Sequence, residues 1–318
     1  MSILNEIFRA EFVENLYKGS EFLKHSVSHS DAIVGNVVHI PNAGAKPGVE
    51  KNRSSFPATA TERADMDLTY FVDSYTLDPI RIRNYVEVQT KPSLQSSVMK
   101  NGIETIREDV TDETLYSWAN TVTIDGTPTA LLASSIISTS GADSADNLPH
   151  GIATGTRKKL VKNDFKKAMK ALNKQNLPKT GRVCVLTADM YDELLEDDAI
   201  VSANTLGTGE TPLATGSVGV LFGFTIFVRS TVLLYTAAGA LKAIGATEVA
   251  TDLGASIFWH ESTVAIADGS TAVYTNVGDG NGDAFSYGAV VSGEKFMGSS
   301  RLRADGAGVI VIRQTTGA

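Results

Sequence analysis

The amino-acid sequence predicts an α+β fold with mixed sheets, and three observations support this class. Helical periodicity is confined to a few segments, of which residues 92–119 form the longest. A helix, a buried strand and a second helix follow one another in residues 162–195. Residues 256–313 alternate apolar strand patterns with glycine turns, and the chain shows no fixed-period repeat. Its 318 residues exceed what one core usually organises, so about two domains are expected.

The leading segment has an amphipathic pattern. Its apolar side chains recur at roughly helical spacing, and they include Ile3, Ile7, Phe8, Leu16, Phe22 and Leu23. We therefore expect a helix over residues 2–25. A short strand over residues 32–40 should follow and end at Pro41.

Residues 41–66 are rich in Pro, Gly, Ala, Ser and Thr and carry almost no large apolar side chain. Strand patterns flank this stretch, at residues 37–40 and at residues 68–77, which predicts a long hairpin with a polar tip. An isolated two-stranded hairpin is only marginally stable in water. We therefore expect the hairpin to lie on a neighbouring copy of the chain.

Residues 92–119 predict the longest helix, with Pro92 in its first turn. An apolar stripe steps along it by four, three and four residues, through Met99, Ile103, Ile106 and Val110. Such a helix is about 40 Å long, which exceeds the usual length in a globular domain. Gly102 is expected to weaken its middle.

The best-specified unit is residues 162–195. Its first helix buries a stripe of Phe165, Ala168, Met169 and Leu172, while a row of lysines from Lys158 to Lys174 lies outside the stripe. A buried strand follows, and Thr187 is expected to cap a second helix over residues 188–195. Further on, residues 218–228 predict a strand, a turn and a second strand.

Composition excludes several classes of protein. The net charge of −8 argues against a sequence-specific nucleic-acid binder, which needs a concentrated basic face. The single cysteine, Cys184, excludes an internal disulfide and a thiolate zinc cluster. The start lacks the basic and apolar stretches of a signal peptide, and the apolar run at residues 231–246 is too short to span a membrane. These features predict a protein made and folded in a cytoplasm.

Candidate reactive groups are few, and no catalytic, cofactor-binding or metal-binding residue is predicted. The phosphate-loop pattern is absent. His25 and His29, four residues apart, can share a helix face but have no third ligand. GDGNGD at residues 278–283 favours a hairpin turn over a cation loop, because the required late glutamate is missing.

One acidic cluster keeps an enzyme open as an alternative. Its members are Glu193, Glu196, Asp197 and Asp198. Carboxylates that hydrolyse glycosides face each other across a cleft from separate elements, so a solvated helix end is favoured over a hydrolase. The lysine row is likewise favoured as a solvated face, because no aromatic side chains interleave with it to stack on bases.

Three stretches, in this order, resemble the major capsid proteins of tailed bacteriophages, which have the Hong Kong-97 type fold. The first is KAMKALNKQNLP at residues 167–178, followed by GRVCVL at 181–186 and MYDELL at 190–195. The second is GVLFGFTIFVRS at 219–230. The third is Tyr287-Gly288, followed by Arg301-Leu302-Arg303 and DGAGVIV at 305–311. An arm, a hairpin and a long helix precede them in the order that this family shows.

The resemblance implies a division of the chain. It assigns an N-terminal arm to residues 1–40 and an extended loop to 41–84. It assigns a peripheral domain to 85–159, whose spine helix is residues 92–119. An axial domain would cover 160–250, and residues 251–318 would return to the peripheral domain.

The resemblance also implies function and partners. It implies a non-enzymatic coat protein that assembles as hexamers and pentamers into an icosahedral shell around double-stranded DNA, in the host bacterial cytoplasm, and becomes the virion capsid. The chain reaches the arm directly after Met1, so a separate scaffolding protein is expected, with a portal. A cement protein is a further open partner, DNA contact should be non-specific, and no membrane is involved.

Six residues are candidates for contacts between copies. They are Arg53, Arg63, Arg81 and Arg83 on or near the extended loop, and Phe8 and Phe12 in the leading segment. Arginine suits this role because it can form bidentate bonds with carboxylates of a neighbour. An encapsulin-like nanocompartment is the nearest rival function, because it shares the fold, and its cargo would distinguish it.

Overall fold

The computed structural model describes residues 17–83 (except 45, 55, 58, 59 and 61), 94–196, 219–276 and 288–317 (except 304). Within these ranges three α-helices form: α1 (Leu94–Ala119), α2 (Lys162–Lys174) and α3 (Ala188–Leu195). Short 3₁₀ helices cover Glu21–Lys24, Ser30–Ala32, Ala133–Ser135 and Glu261–Thr263.

The strands of the described ranges fall into four sheets. In chain order they are β1 (Val27–Ser28), β2 (Val37–Asn42), β3 (Met66–Phe71), β4 (Asp73–Thr76), β5 (Ile80–Arg83), β6 (Val122–Ile124), β7 (Thr127–Thr129), β8 (Ile136–Ser138), β9 (Asp143–Ser144), β10 (Arg157–Lys158), β11 (Arg182–Thr187), β12 (Val220–Leu221), β13 (Phe224–Arg229), β14 (Leu233–Tyr235), β15 (Leu253–His260), β16 (Val264–Asn276), β17 (Gly288–Arg301) and β18 (Val309–Arg313).

The largest sheet has seven strands in the order β12-β13-β11-β15-β18-β8, with β14 beside β15. A five-stranded sheet runs β1-β16-β17-β4, with β5 also on β17. The hairpin strands belong to a four-stranded sheet, β2-β3-β6-β7, and β9 pairs with β10. The fold is therefore α+β with mixed sheets, because β11–β13 and β18–β8 are parallel while most other pairs are antiparallel.

The seven-stranded sheet is covered on both faces. Side chains alternate along a strand, so Val183 and Val185 of β11 join one core while Cys184 and Leu186 join the other. The first core contains the end of α1, and the second contains α2 and α3. All eight residues of β15 are consequently buried.

The unit at residues 162–195 forms as predicted. Phe165 on α2 meets the rings of Phe258 and Phe224 edge-on, at centroid distances of 4.9 and 5.6 Å. The Thr187 hydroxyl accepts a hydrogen bond from the Met190 amide and caps α3. The expected strand pair at 218–228 is also present, as β12 and β13.

The long helix is confirmed as α1, over Leu94–Ala119, and residues 92–93 lie outside the described ranges. Its C-terminal half enters the core, where Trp118 packs on Trp259 at 5.0 Å between ring centroids. In its N-terminal half Ile103 remains 45% exposed, so the predicted stripe is buried only in part. Gly102 lets Leu77 approach closely, since an added Cβ would lie 2.5 Å from the Leu77 Cδ2 atom.

The helix predicted over residues 2–25 is not continuous. Residues 1–16 lie outside the described ranges, and residues 17–25 contain only the 3₁₀ turn Glu21–Lys24. The reason is tertiary: the Phe22 ring is buried against Trp259, whose indole N–H donates to the His25 carbonyl at 2.8 Å. His25 and His29 therefore do not share an α-helical face.

Two strand predictions need correction. Residues 30–32 form a 3₁₀ turn, and β2 runs through Pro41 to Asn42, because β2 is an edge strand where a missing N–H breaks no ladder. The single strand predicted over residues 68–77 is divided at Val72 into β3 and β4, which join different sheets.

The seven-stranded sheet combines β11 and β13, from the predicted axial range, with β15 and β18, from the range predicted to return to the peripheral domain. The division into an arm, an extended loop, and peripheral and axial domains stays a prediction.

Candidate assembly surfaces

The projecting hairpin is built by pairing of β2 with β3, from Val37↔Phe71 to Asn42↔Met66. Its base is anchored on its own chain, in a cluster that includes Val38, Leu68 and Tyr70. The base of the hairpin therefore packs on its own subunit, and the expectation that the hairpin lies on a neighbouring copy stays a prediction.

Beyond the base, the hairpin presents side chains to solvent. Val49 is 96% exposed and Phe56 is 79% exposed. The tip is held by polar contacts, since Asp65 accepts hydrogen bonds from the Gly44 amide at 2.8 Å and from Arg63 Nη2 at 2.7 Å. The Arg63 bond, more than the Gly44 amide, lowers the pKa of Asp65. Large apolar groups exposed on a projection are available for contacts with another molecule.

The structure places three of the four candidate arginine side chains. Arg53 pairs with Glu50 at 3.2 Å and Arg63 pairs with Asp65 at 2.6 Å, both within the hairpin. Arg81 is exposed on β5, opposite Val290 of β17, and forms no ion pair with any part of the chain that the structure describes.

The other candidate contact residues are less defined. Arg83 is paired through its backbone with Gly288, and its side chain lies outside the described ranges, as do Phe8 and Phe12. Among the candidates whose side chains are described, Arg81 is therefore the one that has no ion pair with a described residue.

The acidic cluster has a structural arrangement. The Glu193 carboxylate accepts hydrogen bonds from the Leu160 amide at 2.6 Å and from the Asn147 amide group, and Glu193 is buried. Burial raises its pKa to about 7 despite these bonds. Glu196 pairs with Lys159 at 2.6 Å, and Asp197 and Asp198 lie outside the described ranges. Both carboxylate oxygens of Glu193 are used to hold the segment before α2, so neither is presented to a substrate.

Three lysines of the row, Lys158, Lys159 and Lys167, form ion pairs with described carboxylates. Lys158 lies 3.3 Å from Asp143, and Lys167 lies 2.8 Å from the fully buried Asp164. Asp164 in turn accepts bonds from the amide and hydroxyl of Ser140. This pairing lowers the positive charge that the row can offer to DNA phosphates.

A buried ion network that the sequence does not predict joins the leading segment, α1 and the large sheet. Asp112 on α1 lies 2.9 Å from Lys18 and 2.7 Å from the buried guanidinium of Arg229 at the end of β13. The same guanidinium lies 5.7 Å from the centre of the Phe22 ring. No local motif could identify this network, because its members are about a hundred residues apart.

A second such network surrounds Asp252. Its carboxylate lies 2.5 Å from Lys242 and 3.2 Å from His150, and the Asp252 carbonyl accepts from Arg157 at 2.9 Å. Desolvation is the largest single effect on the pKa of Asp252 and raises it. The hydrogen bond from Lys242, followed by the other contacts of the carboxylate, outweighs desolvation, so the pKa of Asp252 is lowered. The network ties residues 240–252 to residues 150–157.

Within the described ranges, no group of three or more His, Cys, Asp or Glu side chains is arranged to hold a metal ion. The GDGNGD stretch lies outside those ranges. Among the helices that the structure describes, none combines the length and apolarity needed to cross a bilayer.

Comparison with known proteins gives a family. The model of the family described as "Phage capsid protein" matches residues 6–315. The capsid structure of the Cyanophage P-SCSP1u matches with a TM-score of 0.68 and 16% identity, covering 99% of this chain and 93% of that chain. A Mycobacterium phage Che8 structure matches with a TM-score of 0.66 and 18% identity, covering 98% and 97%. The Cyanophage Pam1 capsid asymmetric unit matches at 0.63 and 13%, covering 100% and 98%.

No curated protein sequence matches the chain. The structural matches, at their low identities, concern the fold. They confirm the expected α+β fold of the Hong Kong-97 type.

Proposed function

We propose that this chain, which belongs to the phage capsid protein family and is a structural major capsid protein rather than an enzyme, assembles as hexamers and pentamers into an icosahedral shell around double-stranded DNA. The observation that carries the proposal is the family match over residues 6–315 in a fold with a projecting hairpin. Subunits of such a shell hold together by surface buried between copies, and a projecting hairpin adds to that area.

The hairpin is the proposed contact element. Its base is packed on the subunit, and Val49 and Phe56 beyond the base are exposed. Because the base is already ordered, binding of the hairpin to another copy should lose little conformational entropy. Arg81, free of an internal partner in the described ranges, is proposed to pair with a carboxylate of the next copy. Arg53, Arg63 and Arg83 are secondary candidates, and the first two would have to exchange or share their internal carboxylates.

Partners other than the chain itself follow from the same proposal. Assembly in the host cytoplasm would use a separate scaffolding protein and a portal, and a cement protein is an optional addition. A net charge of −8 and a lysine row that is paired in part support a loose, non-specific contact with DNA. The encapsulin-like rival differs in cargo, so nucleic acid inside purified particles would favour the phage shell and a protein cargo would favour the rival.

Charge reversal at Arg81 tests the contact. Arg81→Glu should sharply reduce the yield of closed shells seen by negative-stain microscopy. The new carboxylate would face the carboxylate of the next copy with which Arg81 is proposed to pair, and like charges across an interface repel each other. Lys170→Glu makes the same change of charge on the exposed face of α2, away from the hairpin, and should leave the yield near that of the unchanged protein. Circular dichroism should show both subunits folded. Normal shells from Arg81→Glu would contradict the assigned contact. Failure of the unchanged chain to form any shell in its host, where the scaffolding protein is present, would contradict the proposed function.

A further inference from the structure

The helix α3, at Ala188–Leu195, is short, and its position depends on what it packs against. Isolated helices of fewer than about 12 residues are only marginally stable in water, so α3 needs tertiary contacts. Met190 and Leu194 supply apolar contacts, and both are fully buried in the core that α2 shares. Glu193 adds a buried polar contact to the segment before α2. A change in that contact can therefore alter how firmly α3 is docked.

The Glu193 carboxylate lies between α3 and the segment before α2. One of its oxygens accepts a hydrogen bond from the Leu160 amide at 2.6 Å, and the other accepts from the side-chain amide of Asn147. Glu193 is only 8% exposed, and both of its partners are also buried. Both donors are neutral, so they stabilise an ionised carboxylate less than a paired cation would.

The charged groups that face Glu193 do not compensate its charge. Lys159 attracts it, but the Lys159 Nζ atom is bound to the exposed Glu196 at 2.6 Å. Asp189, one turn earlier on α3, repels it. Burial is the largest effect and raises the pKa of Glu193 from 4.5 to about 7, against the two hydrogen bonds and the attraction of Lys159. A carboxyl group in this position favours either its neutral form or exposure to water.

We propose that Glu193 is a pH-dependent switch for the docking of α3. The neutral carboxyl keeps α3 on the segment that contains Leu160. Loss of the proton favours an open state, in which α3 separates from this segment and the carboxylate meets water. Asn147 suits the neutral form, because its Oδ1 atom has no hydrogen-bond partner among the described residues. Reversal of the Asn147 amide would place this atom as the acceptor of the carboxyl O–H.

The direction of the switch follows from proton linkage. In the open state the carboxyl is exposed and has its ordinary pKa of 4.5, whereas in the docked state its pKa is about 7. The docked state therefore binds the proton more tightly. The ratio of open to docked α3 should rise by up to about tenfold per pH unit between these two values, and it should level off above about pH 8. The switch acts within one folded subunit, so it does not depend on shell formation.

Hydrogen exchange on full-length subunits tests the switch. Protection factors, corrected for the intrinsic pH dependence of exchange, are compared at pH 5.5 and pH 7.5 for the amides of α3 and β15. The α3 amides should lose about tenfold or more of their protection between these pH values, and at pH 7.5 they should exchange well before β15. Low concentrations of denaturant should hardly change the exchange of α3, because a local opening exposes little surface.

Two variants accompany the test. Glu193→Gln removes the titrating group and retains a side chain of the same shape, so the protection of α3 should no longer depend on pH. Asp192→Asn removes one negative charge from the exposed side of α3, and it should keep the pH dependence of the unchanged chain. Protection of β15 shows in each case that the subunit is folded.

Three results would overturn the proposal. The first is equal protection of α3 at both pH values in the unchanged chain. The second is a loss of protection that persists in Glu193→Gln, which would assign the titration to another group. The third is identical protection of α3 and β15 at every pH, which would mean that α3 opens only when the whole subunit unfolds.

Discussion

At the scale of single residues, buried charges decide how the parts of the chain are joined. Arg301 on β17 is fully buried and donates to the Asn120 carbonyl at 3.0 Å and the Thr129 carbonyl at 2.6 Å, and burial lowers its pKa to about 10. The guanidinium thus holds the end of α1 against β7. The sequence does not predict the burial of Arg301, because a buried arginine and an exposed one look alike until the fold brings the carbonyl partners together.

Glu193 predicts a pH-dependent stability. Its pKa rises from 4.5 to about 7 in the folded chain, mainly through desolvation, so the folded state binds more protons than the unfolded state between these values. The free energy of unfolding should therefore fall as pH rises from about 4.5 through 7, by up to about 1.4 kcal/mol per pH unit. Denaturant unfolding at pH 5, 6, 7 and 8 measures this slope.

Glu193→Gln should remove that contribution to the slope and stabilise the protein at pH 8. The new amide can still accept from the Leu160 amide, and it can donate to the Asn147 Oδ1 atom, which has no hydrogen-bond partner among the described residues. Glu196→Gln, at an exposed residue paired with Lys159, should leave the slope unchanged. An unchanged slope in Glu193→Gln would show that another group titrates.

At the scale of elements, the crossing of the hairpin over the five-stranded sheet depends on a glycine. A Cβ added at Gly298 of β17 would lie 2.5 Å from the Phe71 carbonyl oxygen and 3.2 Å from the Val72 Cα. Both atoms are backbone at the point where β3 ends and β4 begins, so neither can move aside without shifting the hairpin. The approach fixes the direction in which the hairpin leaves the subunit.

Gly298→Ala should destabilise the subunit by about 1–3 kcal/mol in denaturant unfolding, the usual cost of an overpacked contact. Gly151→Ala is the matched control, because nothing lies within 4 Å of the Cβ it would add. It should change the free energy of unfolding by no more than about 0.5 kcal/mol. Equal stability of the two variants would mean that the crossing tolerates a methyl group.

The predictability of the elements depends on how local their signals are. The unit from α2 to α3 was correctly predicted because an apolar stripe, a buried strand and the Thr187 cap all lie within residues 162–195. The break at Val72 could not be predicted, because β3 and β4 differ only in which distant strands they join. The same holds for Phe22, whose burial against Trp259 replaces the helix expected around it.

At the scale of the whole molecule, most large apolar side chains of the subunit pack against one another, whereas Val49 and Phe56 beyond the base of the hairpin are exposed. The α+β class and the capsid family were predicted from the order of a few motifs along the chain, and both are confirmed. Which surfaces meet in the shell could not be predicted, because contacts between copies leave no periodicity in one sequence.

Replacing residues 43–65 by an Asn-Gly turn between Asn42 and Met66 should separate folding from assembly. A two-residue turn of this type suits the register of β2 and β3. The thermal midpoint should change little, because the anchoring side chains Val38, Leu68 and Tyr70 are retained. Closed shells should be absent by negative-stain microscopy. Shells in normal yield would exclude the hairpin tip as a necessary contact, and a large loss of thermal stability would assign the tip to the subunit core.

The position of β18 in the large sheet has a consequence for biosynthesis. This strand, at Val309–Arg313, lies between β15 and the much earlier β8, so the sheet stays incomplete until β18 has left the ribosome. Pairings between segments so distant in sequence form slowly, because the entropy of closing a long loop is lost before the stabilising contacts form. We therefore expect a nascent chain to lack the finished sheet until β18 has emerged, and the subunit to join other copies only after its synthesis.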